Sequence, residues 1–154
     1  MAETPVATFG LTHLALRVAD PRRAFEFYRK VFGMVAVYRS PDFIQAQTPG
    51  SRDVLVLERK KKGPTGRSGS IAHFGFRLTD PASLPAAIAL AKGAGGHIVE
   101  TGEFVPGEPY VFVKDLDGYL VEIWYEVPTP IDPKIPRPKA SRRPLRDIPS
   151  RQRR

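Results

Sequence analysis

Two histidines and two glutamates have the types and the spacing of metal ligands. His13 and His73 occupy the same position in two copies of a repeated segment, and Glu58 and Glu122 each lie in an apolar segment that closes one copy. Imidazole and carboxylate groups on rigid strands suit Zn, Ni, Fe(II), Mn or Co, and do not choose among them. The four residues therefore predict a site for one divalent ion, with positions left open for two adjacent oxygens of a substrate.

Each of these residues also has an alternative role. A single histidine on a strand is more often a hydrogen-bonded core residue than a ligand, so it is the recurrence at one repeat position that favours metal binding. Glu58 is followed by Arg59 and three lysines. A solvated ion pair is therefore the alternative for that carboxylate.

An internal repeat of 60 residues must position the four side chains. Residues 12–21 read THLALRVADP and residues 72–81 read AHFGFRLTDP, so the histidine, an arginine and an Asp-Pro pair recur at the same offsets. Aspartate caps a helix and proline suits its first turn, so each Asp-Pro pair starts a helix. The apolar spacing predicts helices over 21–32 and 81–94, each ending before a glycine.

Alternating segments that follow each helix predict strands. They cover 35–38, 43–47 and 54–58 in the first half, and 98–100, 110–114 and 119–125 in the second. Each half thus reads βαβββ, which predicts an α+β fold of two modules, about 9–62 and 69–126, forming a cupped mixed sheet around a metal cavity. Neither half can close a core alone, so the two modules pair within one chain or across a dimer.

Alternation also predicts which side chains face the cavity. His13, Ala15 and Arg17 share one strand face, while the apolar face of each first strand is expected to pack under the helix of its own module. Arg17 and Arg77 are candidates to hold an anionic part of the substrate, with pairing to cavity carboxylates as the alternative. The remaining candidate substrate-binding residues are polar or aromatic and lie on alternating segments, with core packing as the alternative for the last two: Gln45, Gln47, Tyr110, Phe112 and Trp124.

Composition separates the body of the chain from its C-terminal region. Residues 127–154 hold nine basic residues against two acidic ones, a charge of +7 that leaves +1 of the total +8 for residues 1–126. The same region holds seven of the 16 prolines, which predicts an irregular, solvated tail capable of nonspecific contact with polyanions. The nearly neutral body indicates no specific nucleic-acid partner.

Several classes of site and location are excluded or disfavoured. The chain has no cysteine, which removes disulfides, thiolate metal sites and cysteine nucleophiles. No apolar run reaches the ~20 residues of a membrane span. We therefore expect a cytoplasmic protein without a membrane partner.

The repeat, the strand histidines and the segment Asp115-Leu-Asp-Gly-Tyr-Leu-Val-Glu122 resemble the vicinal-oxygen-chelate superfamily. That superfamily includes glyoxalase I, extradiol ring-cleaving dioxygenases, fosfomycin-resistance transferases and bleomycin-resistance binding proteins. The resemblance covers roughly residues 9–126. It implies that His13, His73 and Glu122 hold the metal, and that Glu58 matches the additional glutamate of glyoxalase I.

The leading interpretation is a divalent-metal-dependent lyase or isomerase of the glyoxalase I type, acting on a small molecule as a homodimer. In that family chemistry an adduct such as a hemithioacetal is isomerised through a metal-stabilised enediolate, and Glu122 or Glu58 would be the base that moves the proton.

Three other functions of the same superfamily remain as alternatives. An extradiol dioxygenase would carry a further catalytic histidine shortly before a tyrosine, but His97 lies thirteen residues before Tyr110, and Leu116 replaces a proline of the pattern. A binding or resistance protein of the bleomycin type is disfavoured because His13, His73 and Glu122 are present. A fosfomycin-type enzyme uses three ligands and would leave Glu58 without a role.

Overall fold

The computed structural model describes residues 6–133, which form two four-stranded sheets and two helices. The first module contains β1 (His13–Val18), α1 (Pro21–Phe32), β2 (Val35–Ser40), β3 (Phe43–Gln47) and β4 (Val54–Arg59). The second contains β5 (Phe74–Arg77), α2 (Leu84–Gly93), β6 (His97–Glu103), β7 (Pro109–Lys114) and β8 (Leu120–Trp124). The predicted α+β fold of two βαβββ modules is confirmed.

The two sheets have the same topology. Their strand orders are β1-β4-β3-β2 and β5-β8-β7-β6, with β1 parallel to β4 and β5 parallel to β8, while the other pairs are antiparallel. Each sheet is hydrogen-bonded separately, and the first strand of each module lies at its edge. No helix in the described part of the chain is both long and apolar enough to span a membrane.

The helix ends follow the capping signals of the sequence in the first module. The Asp20 side chain accepts a hydrogen bond from the Arg22 amide, Pro21 occupies the first turn, and Gly33 ends α1 in the left-handed conformation at φ 66°. The second helix differs from the prediction. A single 3-10 turn over Pro81–Ser83 precedes α2, because Pro85 has no N–H to bond to the carbonyl of residue 81.

Helix α1 contributes to the core of both modules. Its Phe32 ring stacks on Phe76 of β5 with 3.7 Å between centroids, and Tyr28 lies 6.5 Å from Phe74. The apolar face of β5 was expected to pack under the helix of its own module, and the structure adds contacts with α1 of the first module. Helix α2 contacts β6, β7 and β8, and the long aromatic side chains of α1 reach the edge strand β5.

A buried carboxylate fixes the turn before β8. Asp115 accepts hydrogen bonds from the Tyr28 hydroxyl and from the backbone amides of Asp117 and Tyr119. Burial raises the pKa of Asp115, while these donors act in the opposite direction. Burial, together with the neighbouring Asp115 carboxylate, holds the pKa of Tyr28 well above its ordinary value. This contact ties α1 of the first module to the segment that leads to Glu122.

Substitution of Tyr28 by phenylalanine should lower the free energy of unfolding by about 1–3 kcal/mol, because it leaves a buried Asp115 oxygen without its donor. Urea denaturation at neutral pH measures the change. Tyr38→Phe is the matched control, because the Tyr38 hydroxyl makes no hydrogen bond within residues 6–133. Equal and small changes in both variants would show that the Tyr28 hydroxyl does not stabilise the fold.

The predicted tail lies mostly outside the described residues. Residues 134–154 fall beyond them, whereas residues 127–133 contain no helix or strand. The boundary at residue 126 and the irregular character of the whole tail stay predictions.

Candidate metal centre

His73 and Glu122 come together on the face of the second sheet that is turned away from the helices. In the register of β5 and β8, Gly75 lies opposite Glu122, and His73 directly precedes β5. The His73 Nε2 and Glu122 Oε2 atoms are 3.0 Å apart, with the Glu122 side chain only 12% exposed. The Phe112 ring packs edge-on against His73 at 5.0 Å between centroids. An imidazole and a carboxylate side by side in this largely apolar setting fit two ligands of one metal ion.

The other predicted residues of the second module lie on this same face, which we call the second outer face. It is formed by the residues of β5, β7 and β8 that lie on the side away from the core: Gly75, Arg77, Tyr110, Phe112, Glu122 and Trp124. Gly75 is required where it stands, because a Cβ there would lie 2.8 Å from the Trp124 ring and from the Glu122 carbonyl oxygen. Trp124 can therefore lie across β5 beside the His73–Glu122 pair.

Glu100 of β6 and Phe104, which directly follows β6, also contact this face and were not predicted from the sequence. The Tyr110 hydroxyl donates to Glu100 Oε1 at 2.7 Å, and the Phe104 ring stacks on Tyr110 at 4.3 Å. The hydrogen bond to Glu100 raises the pKa of Tyr110. A shift of register in β6 between Ile98 and Glu100 turns Glu100 toward Phe112, and simple alternation along the sequence cannot reveal that irregularity.

The candidate residues of the first module lie on the equivalent face of the first sheet, the first outer face. The register pairs His13 with Val54, and it aligns two rows across β1, β4 and β3: Ala15 with Val56 and Gln45, and Arg17 with Glu58 and Phe43. The Gln47 amide donates to the Ser51 carbonyl at 2.6 Å, so this side chain is engaged by its own loop. Gln45 has Val56 beside it.

Comparison of the two registers corrects the place of Glu58. Gly75 faces Glu122 in the second sheet, and its repeat counterpart Ala15 faces Val56 in the first. Val56, and not Glu58, is therefore the repeat counterpart of Glu122, while the match of Glu58 to the additional glutamate of glyoxalase I stays a prediction. Glu58 lies two residues further along β4, opposite Arg17. The sequence concealed this offset because both glutamates end a similar run of aliphatic residues. Whether Glu58 binds metal stays a prediction.

A single chain does not assemble the predicted ligand set. Within residues 6–133, no group of three or more His, Asp or Glu side chains is close enough to hold one metal ion. His73 and Glu122 form one pair, while His13 and Glu58 lie on the first outer face, apart from that pair. Each sheet thus presents its candidate ligands on the side away from the helices, and their joint role in metal binding stays a prediction.

The two arginines differ in their surroundings. Arg77 Nη2 bonds to Asp132 Oδ2 at 2.8 Å, and Arg77 Nη1 lies 3.6 Å from Glu126. The hydrogen bond between Arg77 and Asp132 raises the pKa of Arg77 and lowers that of Asp132. Arg77 thus pairs with carboxylates, which is the alternative role that the sequence suggested for it. This pairing holds residues 126–132 to the second sheet. Arg17 is exposed and has no ion pair within the described residues.

Comparisons with known proteins agree with this architecture. The family model described as "Glyoxalase/Bleomycin resistance protein/Dioxygenase superfamily" matches residues 10–123. An uncharacterized protein of Pseudomonas aeruginosa, PA2024, is 30% identical over 125 residues, which cover 77% of this chain and 89% of that protein.

Solved structures share the fold. A glyoxalase-related enzyme from Fulvimarina pelagi superposes with a TM-score of 0.67 at 20% identity, covering 87% of this chain and 98% of that one. The E126Q mutant of the fosfomycin resistance protein FosX from Listeria monocytogenes, in complex with Mn(II) and 1S,2S-dihydroxypropylphosphonic acid, gives 0.63 at 18% identity, covering 76% and 90%. Together with the match to the family model, the repeated modules establish that the chain belongs to the glyoxalase/bleomycin resistance protein/dioxygenase superfamily.

Proposed function

We propose that this protein is a divalent-metal-dependent enzyme acting on a small molecule with two adjacent oxygens. The single observation that carries the proposal is the contact of His73 Nε2 with Glu122 Oε2 at 3.0 Å on the second outer face, where the Glu122 side chain is only 12% exposed. A carboxylate on such a face is costly unless a cation balances it. His73 and Glu122 would supply two ligands, and His13 a third.

The third ligand is proposed to come from a second copy of the chain. His13 lies on the first outer face, while His73 and Glu122 lie on the second, so one copy would present His13 to the pair of the other. A two-fold dimer would repeat this contact and complete two equivalent sites.

A bound ion would act as a Lewis acid that polarises the substrate oxygens. Glu58 is then the candidate base, because the register leaves it beside Arg17 and away from the position of a fourth ligand. Phe112 and Trp124 would exclude water from one wall. With a carboxylate base and a polarised oxygen, the leading reaction is the glyoxalase-type transfer of a proton between adjacent carbons.

One observation favours a second candidate reaction. Val56 occupies the position equivalent to Glu122, so the symmetric site offers three ligands rather than four. The Listeria FosX named above was solved with Mn(II) and a dihydroxy phosphonate. Action on fosfomycin or a similar small phosphonate is therefore the alternative to proton transfer.

Turnover assays on metal-reconstituted protein test the proposed reaction. The substrates are the methylglyoxal–glutathione adduct, a small epoxide phosphonate and a catechol, each supplied with Zn, Ni, Mn or Fe(II). The proposal expects metal-dependent turnover of the first, which His73→Ala abolishes and His97→Ala preserves. Turnover of the epoxide alone would favour the second candidate, and metal-independent ligand binding without turnover would contradict an enzyme.

Substitution of Glu58 by glutamine is expected to leave the metal content unchanged and to reduce turnover on the order of a hundredfold or more, because it removes the base but no ligand. Elemental analysis and steady-state kinetics of the same preparation measure both quantities. Loss of metal together with activity would restore Glu58 as a fourth ligand. Unchanged activity would remove it from the mechanism.

A further inference from the structure

A cavity of about 280 Å³ lies between the two modules, beside His73. Four consecutive residues of β1, from Leu14 to Arg17, line it. Successive strand side chains point to opposite faces, so a cavity that touches four in a row must run along the strand edge. Its opposite wall contains His73 and Phe74 of the second module, and the connection between the modules covers it.

The charges around this cavity have one sign. Arg17, Lys60 and Arg67 line it, and no aspartate or glutamate is among the lining residues that the structure describes. None of the three cations forms an ion pair within residues 6–133. Three cations around one small cavity repel each other, and a bound anion relieves that repulsion.

The β1 edge adds backbone donors to these cations. The Arg17 carbonyl accepts from the Tyr119 hydroxyl at 2.7 Å, and the Ala19 amide donates to Asp117 Oδ1 at 2.8 Å. Odd-numbered residues of β1 therefore turn their backbone groups toward the second module, whereas the Thr12 and Val18 carbonyls accept from Val54 and Lys60. By the same alternation, the amides of residues 15 and 17 point toward the cavity.

The covering connection is held in place by close contacts. Gly66 has φ +78°, and a Cβ there would collide with the Asp117 carbonyl oxygen. Thr65 Oγ1 donates to Asp117 Oδ1 at 2.9 Å, and Lys60 Nζ donates to the Pro64 carbonyl. These contacts fix the backbone immediately before Arg67, so its position over the cavity follows from the fold.

We propose that this cavity binds the anionic end of the substrate, a carboxylate or phosphate group. Arginine and lysine side chains with edge amides recognise such oxygens, and apolar walls from Leu14, Ile71 and Phe74 would accept a short carbon chain. His73 belongs to both this cavity and the candidate metal centre, so the charged group would lie next to the proposed site of reaction. The proposal deepens the proposed function, but anion binding itself requires no metal.

Calorimetric titration of the full-length, metal-free protein with inorganic phosphate at low ionic strength tests this proposal. Wild type is expected to bind one phosphate saturably, and Lys60→Gln/Arg67→Gln to bind at least tenfold more weakly. Lys61→Gln/Lys62→Gln is the matched control, because it removes the same charge from neighbouring lysines that do not line the cavity. Its affinity should stay within twofold of wild type.

Equal weakening by both double variants would overturn the proposal, as would phosphate binding that does not saturate. The basic residues of the tail are the same in every variant, so phosphate bound there cannot produce a difference between them. Glu122→Gln separates this proposal from the proposed function. It should lose the metal and keep the wild-type phosphate affinity. Retention of the metal would contradict the proposed metal site and would leave the anion-binding proposal intact.

Discussion

Glu122→Ala is expected to reduce divalent-metal affinity on the order of a hundredfold or more. Removal of a group that only supports a metal ligand already costs about 10–100-fold in affinity, so loss of a ligand itself should cost at least the upper value. The Glu122 side chain is 12% exposed and contacts His73, so the substitution removes a carboxylate that the fold holds beside the second candidate ligand.

The thermal stability of the same variant provides a second readout. Binding of metal to the folded state alone raises the midpoint of unfolding, and this rise should disappear in Glu122→Ala. The variant is compared with wild type in the metal-free state as well, because loss of the contact between Glu122 and His73 changes stability without metal. Glu126→Ala is the control, since it removes a half-exposed glutamate that lies beside Arg77.

Wild-type metal affinity in Glu122→Ala, with a normal fold by circular dichroism, would contradict the assignment of this carboxylate. Loss of folding would leave Glu122→Gln as the deciding variant. Its amide preserves the shape of the side chain and removes the charge.

Mixing two inactive variants is expected to restore metal binding if each site is shared between two copies. In a heterodimer of His13→Ala and Glu122→Ala, one site carries both substitutions and the other carries neither. When equal amounts are refolded together, half of the dimers are mixed and each holds one intact site. About one quarter of the wild-type metal content should therefore return.

The separate variants, refolded alone, serve as the controls for this experiment. A site built within one chain would bring back no metal on mixing, because every chain would carry a defective site. Recovery of about one quarter in the mixture, with little in either variant alone, is the outcome that a shared site requires.

The local structure was largely predictable from short-range chemistry. Asp20, Pro21 and Gly33 mark the ends of α1, and the helix has the predicted bounds Pro21–Phe32. The alternation in β1 placed Leu16 and Val18 in the core and Arg17 outside, as observed. Such features depend on residues that are close together in the chain, so they can be predicted from one sequence.

Features that depend on strand register were not predictable. The two-residue offset that puts Val56 where Glu122 stands in the other module arises from the pairing of β1 with β4. The packing of Phe76 on Phe32 joins the edge strand of one module to the helix of the other. Both arrangements join residues that are far apart in the chain. The repeat in the sequence suggests a symmetry between the modules that these arrangements do not have.

Arg77 gives a third example. Its repeat position equals that of Arg17, yet Asp132 from beyond the second module bonds to Arg77 at 2.8 Å. Proline-rich, charged composition indicated only a solvated segment after residue 126. A specific ion pair 55 residues apart in sequence leaves no signature in composition or periodicity.

Native mass spectrometry of wild-type protein after reconstitution with a divalent metal tests the central claim most directly, because it measures copies of the chain and bound ions together. We predict a dimer with two ions. A monomer that binds one ion fully would contradict a site shared between copies, and a dimer that binds no ion would contradict the metal centre itself.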